Sequence, residues 1–256
     1  MKLATPVALS FLLSLGLLSL ACEEEKPPEP QVEKKAAEPE APEPVVESPP
    51  HFVVSDGTIS VRSTTVEGAK KTGIIETVHF DKLKTALGDE KKFIDGKEIT
   101  VIVDRKAKRG WVAAYLQELG ALGVAKITVK TETRDEFPKE LTFLPTGKGE
   151  NVPKCSLVGQ VTEHNGSALW NVKGGTAKSR GPGLGGPDLS MAKENISANY
   201  KKCESDTFLT DGANEKDWGF IYDMAAAAVS TEEAGVTQAY LTPEPQTAGR
   251  PVKLVN

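Results

Sequence analysis

The chain has 256 residues, 39% of them apolar and 26% charged, and a net charge of −5. Nine glutamates, three lysines and eight prolines fall within residues 23–50, so the part from His51 onward is close to neutral and has no excess of cations with which to neutralise a nucleic-acid backbone. Three cysteines without close pairing in sequence and three scattered histidines (His51, His79, His164) give no metal-ligand spacing, and no cofactor is expected.

Met1 and Lys2 precede an uncharged stretch from Leu3 to Cys22, roughly bilayer-thick as a helix at about 1.5 Å per residue. Ala21 stands directly before Cys22, with Ser19 and Leu20 ahead of it. This arrangement resembles the bacterial lipobox, departing from it in having Ser19 where leucine is usual. The resemblance implies cleavage after residue 21 and acylation of Cys22, hence a protein lipid-anchored on the periplasmic side of a bacterial membrane. An uncleaved membrane helix and plain secretion are the alternatives, and all three export the remainder. Export suits the other two thiols, Cys155 and Cys203, which can pair in an oxidising compartment.

Residues 22–50 read as an acidic Pro/Glu-rich disordered tether, spanning at most ~85 Å at ~3.1 Å per residue. About 200 residues follow, enough for one large or two small domains. The turn-rich stretch 145–153 divides them into 51–144 and 154–256.

The first half opens with apolar runs flanking Asp56-Gly57, a hairpin signal. Phe80, Leu83, Ala86 and Leu87 share a helical face. Ile99–Val103 is a β-branched strand ending at Asp104, and Trp111, Val112, Tyr115, Leu116, Leu119 and Leu122 recur at helical spacing until Gly123. A strand from Val124 to Lys130 follows. The second half repeats the order: a hairpin around Asn165-Gly166, a helix within 189–203 carrying Met191, Ile196 and Tyr200, a strand 207–210 running to Asp211, an alanine-rich helix from Phe220 to Val229, and a strand 238–242. Seven residues separate Asp104 from Trp111 and Asp211 from Trp218, so divergent duplication is expected.

Ile99–Asp104, the helix from Trp111 to Gly123-Val124 and the strand Ile127–Thr131 together resemble the periplasmic domain of the ExbD/TolR family. The resemblance covers about 80 residues and, more weakly, about 100 of the second half. It implies an α+β fold of two small modules, each a mixed sheet with two helices packed on one face, and two fused copies able to mimic a dimer. It also implies work in a biopolymer transport or energy-transduction system. Family members couple proton flow through an intramembrane aspartate; residues 3–22 contain none. The expected function is therefore a non-catalytic module, accessory to an ExbB/ExbD- or TolQ/TolR-type system, that binds a periplasmic protein or peptidoglycan. A genuine motor subunit and a periplasmic enzyme without a recognisable motif are the alternatives.

Trp111 and Trp218 are expected as core anchors, and Asp104 and Asp211 as helix caps or turn formers rather than a catalytic pair. Arg105, Lys106, Lys108 and Arg109 read as a solvated basic loop. The glycine-rich run 179–187 lacks the lysine and hydroxyl residue of a phosphate loop and reads as a flexible surface insertion.

Overall fold

The computed structural model describes residues 51–68 and 70–254; the signal segment 1–21, Cys22 and the tether lie outside the described residues, as does the side chain of Met191. In chain order the first half contains β1 (Phe52–Ser55), β2 (Thr58–Val61), β3 (Thr64–Glu67), α1 (Thr77–Asp89), the short α2 (Lys91–Ile94), β4 (Glu98–Val103), α3 (Arg109–Ala121), β5 (Lys126–Lys130) and β6 (Glu140–Phe143). The second half contains β7 (Leu157–Val161), β8 (Ser167–Asn171), β9 (Lys178–Arg180), the two-residue strands β10 (Pro182–Gly183) and β11 (Gly186–Pro187), α4 (Ser190–Tyr200), β12 (Thr207–Gly212), α5 (Trp218–Val229) and β13 (Gln238–Leu241).

Local chemistry explains most of these elements. The β1–β2 turn places Gly57 at φ +98°, and Gly123, which follows α3, has φ +83°, a conformation that costs a residue with a Cβ. In β4 the inward Ile99, Val101 and Val103 are buried while Glu98, Thr100 and Ile102 face outward, the period-two pattern of a strand with one face on a core. In α1 the buried residues are Leu83, Ala86 and Leu87, as the helical spacing predicts.

The expectation of two small modules, each with its own sheet and pair of helices, is corrected. Among the described residues eleven strands form one mixed sheet in the order β3-β2-β1-β4-β5-β6-β13-β12-β7-β8-β9, and both halves belong to one compact unit. The halves do share a strand order: β3-β2-β1-β4-β5 matches β9-β8-β7-β12-β13, with β6 between them. One core joins both, containing Leu83, Trp111, Tyr115, Ile196, Trp218 and Met224 from the four longer helices. A smaller cluster on the second half includes Val158, Leu209, Trp170 and Tyr240, with Val252 and Leu254 of the C-terminal segment packed against it.

The reason for a single body lies at the starts of α3 and α5. Neither helix has a side-chain cap. Instead, the N–H groups of Arg109 and Gly110 donate to the carbonyls of Lys216 (2.8 Å) and Asn214 (3.0 Å), while those of Trp218 and Gly219 donate to Ala107 (2.7 Å) and Arg105 (2.8 Å). Each helix thus has its exposed N-terminal donors satisfied by the loop before the other. This pairing matches Gly110 with Gly219, so Trp218 occupies the place of Arg109, and Trp111 that of Phe220. The tryptophans, although both fully buried, are not counterparts. At Gly110 a side chain would bring a Cβ to 2.1 Å from the Gly73 carbonyl.

The Cys155–Cys203 disulfide is present, joining the segment before β7 to the loop before β12 across 48 residues of sequence. Beneath it Ser156 and Ser205 hydroxyls lie 2.7 Å apart, and the Tyr200 hydroxyl donates to the Thr207 carbonyl at 2.7 Å. Replacing both cysteines by alanine should lower the unfolding free energy by about 2–5 kcal/mol. Urea denaturation of the two proteins measures this, and coincident curves would show the bridge to be energetically idle. Gly110→Ala should cost about 3 kcal/mol. The control Gly88→Ala adds a methyl that meets nothing within 4 Å in α1 and should be neutral or stabilising by up to about 1 kcal/mol.

Candidate functional site

The helices cover one face of the sheet; the opposite face differs between halves. Over the second half run residues 243–254. The Gln246 N–H donates to Asp211 Oδ2 (3.1 Å), its carbonyl accepts from Gln160 Nε2 (2.8 Å), the Arg250 carbonyl accepts from Trp170 Nε1 (3.0 Å), and the Val252 N–H donates to the Val172 carbonyl (2.9 Å). Over the first half no described segment lies across the corresponding strands.

There a groove of about 670 Å³ opens at the C-terminal ends of β1, β4 and β5. Strand ends of this kind are common ligand positions in parallel sheets. Its floor is the cross-strand row Val53–Ile102–Lys130, continued by Glu140 on β6. Ile102 is 48% exposed, against 0–6% for the inward residues of the same strand. Ser55, Asp104, Lys106, Glu132 and Lys139 form the rim. Lys130 pairs with Glu140 at 2.7 Å and Lys139 with Glu132 at 2.9 Å. The Lys106 ammonium has no acidic partner among the described residues.

One wall is fixed from the other half of the molecule. Arg105 donates from both terminal nitrogens to the two oxygens of Asp223 on α5, each at 2.9 Å, and to the Glu132 carbonyl at 2.8 Å. Asp223 also accepts from the Thr133 hydroxyl and pairs with Arg134 at 3.4 Å. The hydrogen bond to Asp223 raises the Arg105 pKa despite partial burial. A bidentate pair of this kind fixes orientation as well as charge, so the loop after β4 is held by α5.

A second pair lies deeper. Arg109 and Asp211 are both fully buried, 3.5 Å apart, and Arg109 also donates to the Thr242 and Pro243 carbonyls and to Asn214 Oδ1. Burial lowers the Arg109 pKa to about 10, opposed by Asp211 and Glu244. Burial likewise pushes the Asp211 carboxyl above its ordinary range, opposed by Arg109 and by hydrogen bonds from Thr242, Gln246 and Gln160. In both residues desolvation outweighs pairing, the usual balance for an ion pair taken out of water. The folded chain therefore holds the Asp211 proton more tightly than the unfolded chain. That carboxyl's contribution to stability is greatest below about 3.8 and shrinks as pH rises.

These arrangements revise the expected sites. Asp104 does form a turn, accepting the Lys106 N–H at 2.7 Å. Asp211 caps nothing: it lies inside β12 and holds Arg109 and the C-terminal segment. The basic loop is not simply solvated, since Arg105 and Arg109 meet Asp223 and Asp211, and Lys108 meets Asp217 at 2.5 Å. Run 179–187 includes the end of β9 and a β10–β11 hairpin, with Leu184 fully exposed at its tip. Trp111 and Trp218 are core residues as expected, Trp218 donating from Nε1 to the Thr131 hydroxyl at 2.8 Å. The groove itself was not anticipated. Its only sequence signal is Ile102, an apolar residue at an outward position of a strand.

Among the described residues no group of three or more His, Cys, Asp or Glu side chains is placed to hold a metal ion, and the buried carboxylates Asp211 and Asp223 engage arginines. The site offers a small aliphatic centre, Val53 and Ile102, with lysines and carboxylates around it. A double-mutant cycle tests the deeper pair: Arg109→Met alone should cost about 3–5 kcal/mol by stranding Asp211. Combined with Asp211→Leu, the loss should fall short of the sum of the single losses by about 0.5–3 kcal/mol in chemical denaturation. No protein-family model, curated protein or solved structure matches this chain.

Proposed function

We propose that this protein is an exported binding module, held at the periplasmic side of a bacterial membrane by a lipid on Cys22, which engages a partner protein through the groove on the first half of its sheet. The groove, with half-exposed Ile102 in its floor, carries this reading. An aliphatic floor ringed by charge has the anatomy of a protein contact, in which a small desolvated centre supplies affinity and a polar rim supplies registry. The Cys155–Cys203 bridge favours an oxidising compartment. The Ser19–Cys22 sequence and the acidic tether favour a body carried at a distance from the lipid surface.

The ExbD/TolR resemblance supplies the setting, as an accessory to a biopolymer transport or energy-transduction system. A chain without an intramembrane carboxylate in residues 3–22 would contribute contact to such a system and not proton flow.

A photoreactive residue at position 102 of the full-length protein should capture a discrete protein in intact cells, while one at exposed Lys91 should not. The mature N-terminus should carry a diacylglycerol-modified Cys22 by mass spectrometry. Equal capture from both positions, or none from 102, overturns the groove as the contact. Co-sedimentation with purified sacculi, undiminished by Ile102→Asp, would instead assign the module to the cell wall through another face.

A further inference from the structure

Residues 243–254 lie on the second half as a surface segment: none of them is buried, while Asp211 and Trp170, which they bond, are. Pro243, Pro245 and Pro251 fix φ and lack the N–H that strand pairing needs. Among the described residues, the hydrogen bonds of this segment to the body all run through its main chain. Asp211 and Gln160 meet the N–H and carbonyl of Gln246, Trp170 meets the Arg250 carbonyl, and Arg109 meets that of Pro243. The Gly249 carbonyl accepts from the Gly175 N–H at 2.9 Å, and the Val252 N–H donates to Val172. The Gln246 side chain turns back on the segment itself, donating to the Glu244 carbonyl and accepting from the Lys253 N–H. Glycine permits the close approach, since a Cβ at Gly174 would stand 2.8 Å from the Pro251 nitrogen.

Val252 and Leu254 supply the apolar contact, packed against the cluster that contains Trp170 and Tyr240. A surface that reads main-chain groups and asks for two aliphatic side chains at alternate positions accepts any extended segment of that form. The first half is the internal control. It repeats the strand order and has a buried core, with no described segment across its outer face. A half of this fold thus keeps its sheet without such a covering. When the segment leaves, Asp211 retains Arg109 and Thr242, and the freed groups of Gln160 and Trp170 face water or a replacement.

We propose that residues 243–254 are a displaceable self-ligand, and that the face they cover is a site for an extended segment of a partner protein with aliphatic side chains at alternate positions. The site stays closed until that segment takes their place. It is separate from the first-half groove and does not rest on the reading of that groove.

Two measurements on the full chain test this. Hydrogen exchange should release the Gln246 and Val252 amides at least about 100-fold faster than the amides of β12, by local opening of the segment with the sheet intact. A fluorescent peptide of sequence 243–254 should bind saturably to the double variant Val252→Asp, Leu254→Asp, whose own segment has lost its apolar anchors. It should bind the unaltered chain at least about tenfold more weakly, because there the tethered segment competes at high effective concentration. A peptide carrying the same two replacements should bind neither protein. Protection of Gln246 and Val252 equal to that of β12, equal affinity of the peptide for both proteins, or no binding to the double variant overturns the inference. A double variant that loses the near-ultraviolet circular dichroism of the unaltered chain would show the segment to be part of the fold, and overturns it too.

Discussion

The structure depends on four backbone hydrogen bonds at the seam. A helix start leaves several N–H groups without intrahelical partners, and burying them unpaired costs about 1–3 kcal/mol each. Here neither the Lys108 nor the Asp217 side chain caps its helix. The donors of α3 are met by carbonyls at Asn214 and Lys216, and those of α5 by carbonyls at Arg105 and Ala107. Separating the halves would leave both helix starts uncapped, which accounts for two similar halves forming one sheet. A Cβ at the second position of either helix would collide, with the Gly73 carbonyl at Gly110 and with the Arg105 side chain at Gly219.

The charged residues around the seam are secured differently from one another. Arg105 reaches Asp223 in two-pronged geometry while remaining partly solvated, so its ion pair retains some access to water. Arg109 and Asp211 lie in the interior, where desolvation exceeds their mutual attraction. Hydrogen bonds from Thr242, Gln160 and Gln246 make that burial tolerable, and they tie the end of β13 to the C-terminal segment. Arg109, at the start of α3 in the first half, is thereby connected to the covering of the second.

Much of the secondary structure was legible in the sequence because it is periodic: β4 by alternation, α1 and α3 by helical spacing, the hairpins by their turn residues. The assembly was less legible. Aligning the tryptophans by equal intervals gave the wrong frame, because what the contact conserves is the small residue in Lys-Arg-Gly-Trp and Asp-Trp-Gly-Phe. Arg109 looked solvent-facing beside three other cations; its partner Asp211 lies 102 positions away, and local composition cannot report such a pairing. Strands β3 and β6 escaped notice because no Asp-Gly or Asn-Gly turn marks them, the turn before β3 being made by Arg62 at φ +53°, and residues 243–254 because proline, glycine and isolated apolar residues read as a tail. The groove was hidden for the same reason, since its existence depends on which half that tail covers.

The two outermost strands set a final constraint. β3 is Thr-Thr-Val-Glu and β9 is Lys-Ser-Arg, each short and bearing charge, with β9 exposed throughout. Such borders discourage another chain from adding itself by main-chain pairing. A sheet already eleven strands wide is thus kept from growing sideways into fibres, and recognition between molecules is directed away from its margins and onto its broad surface.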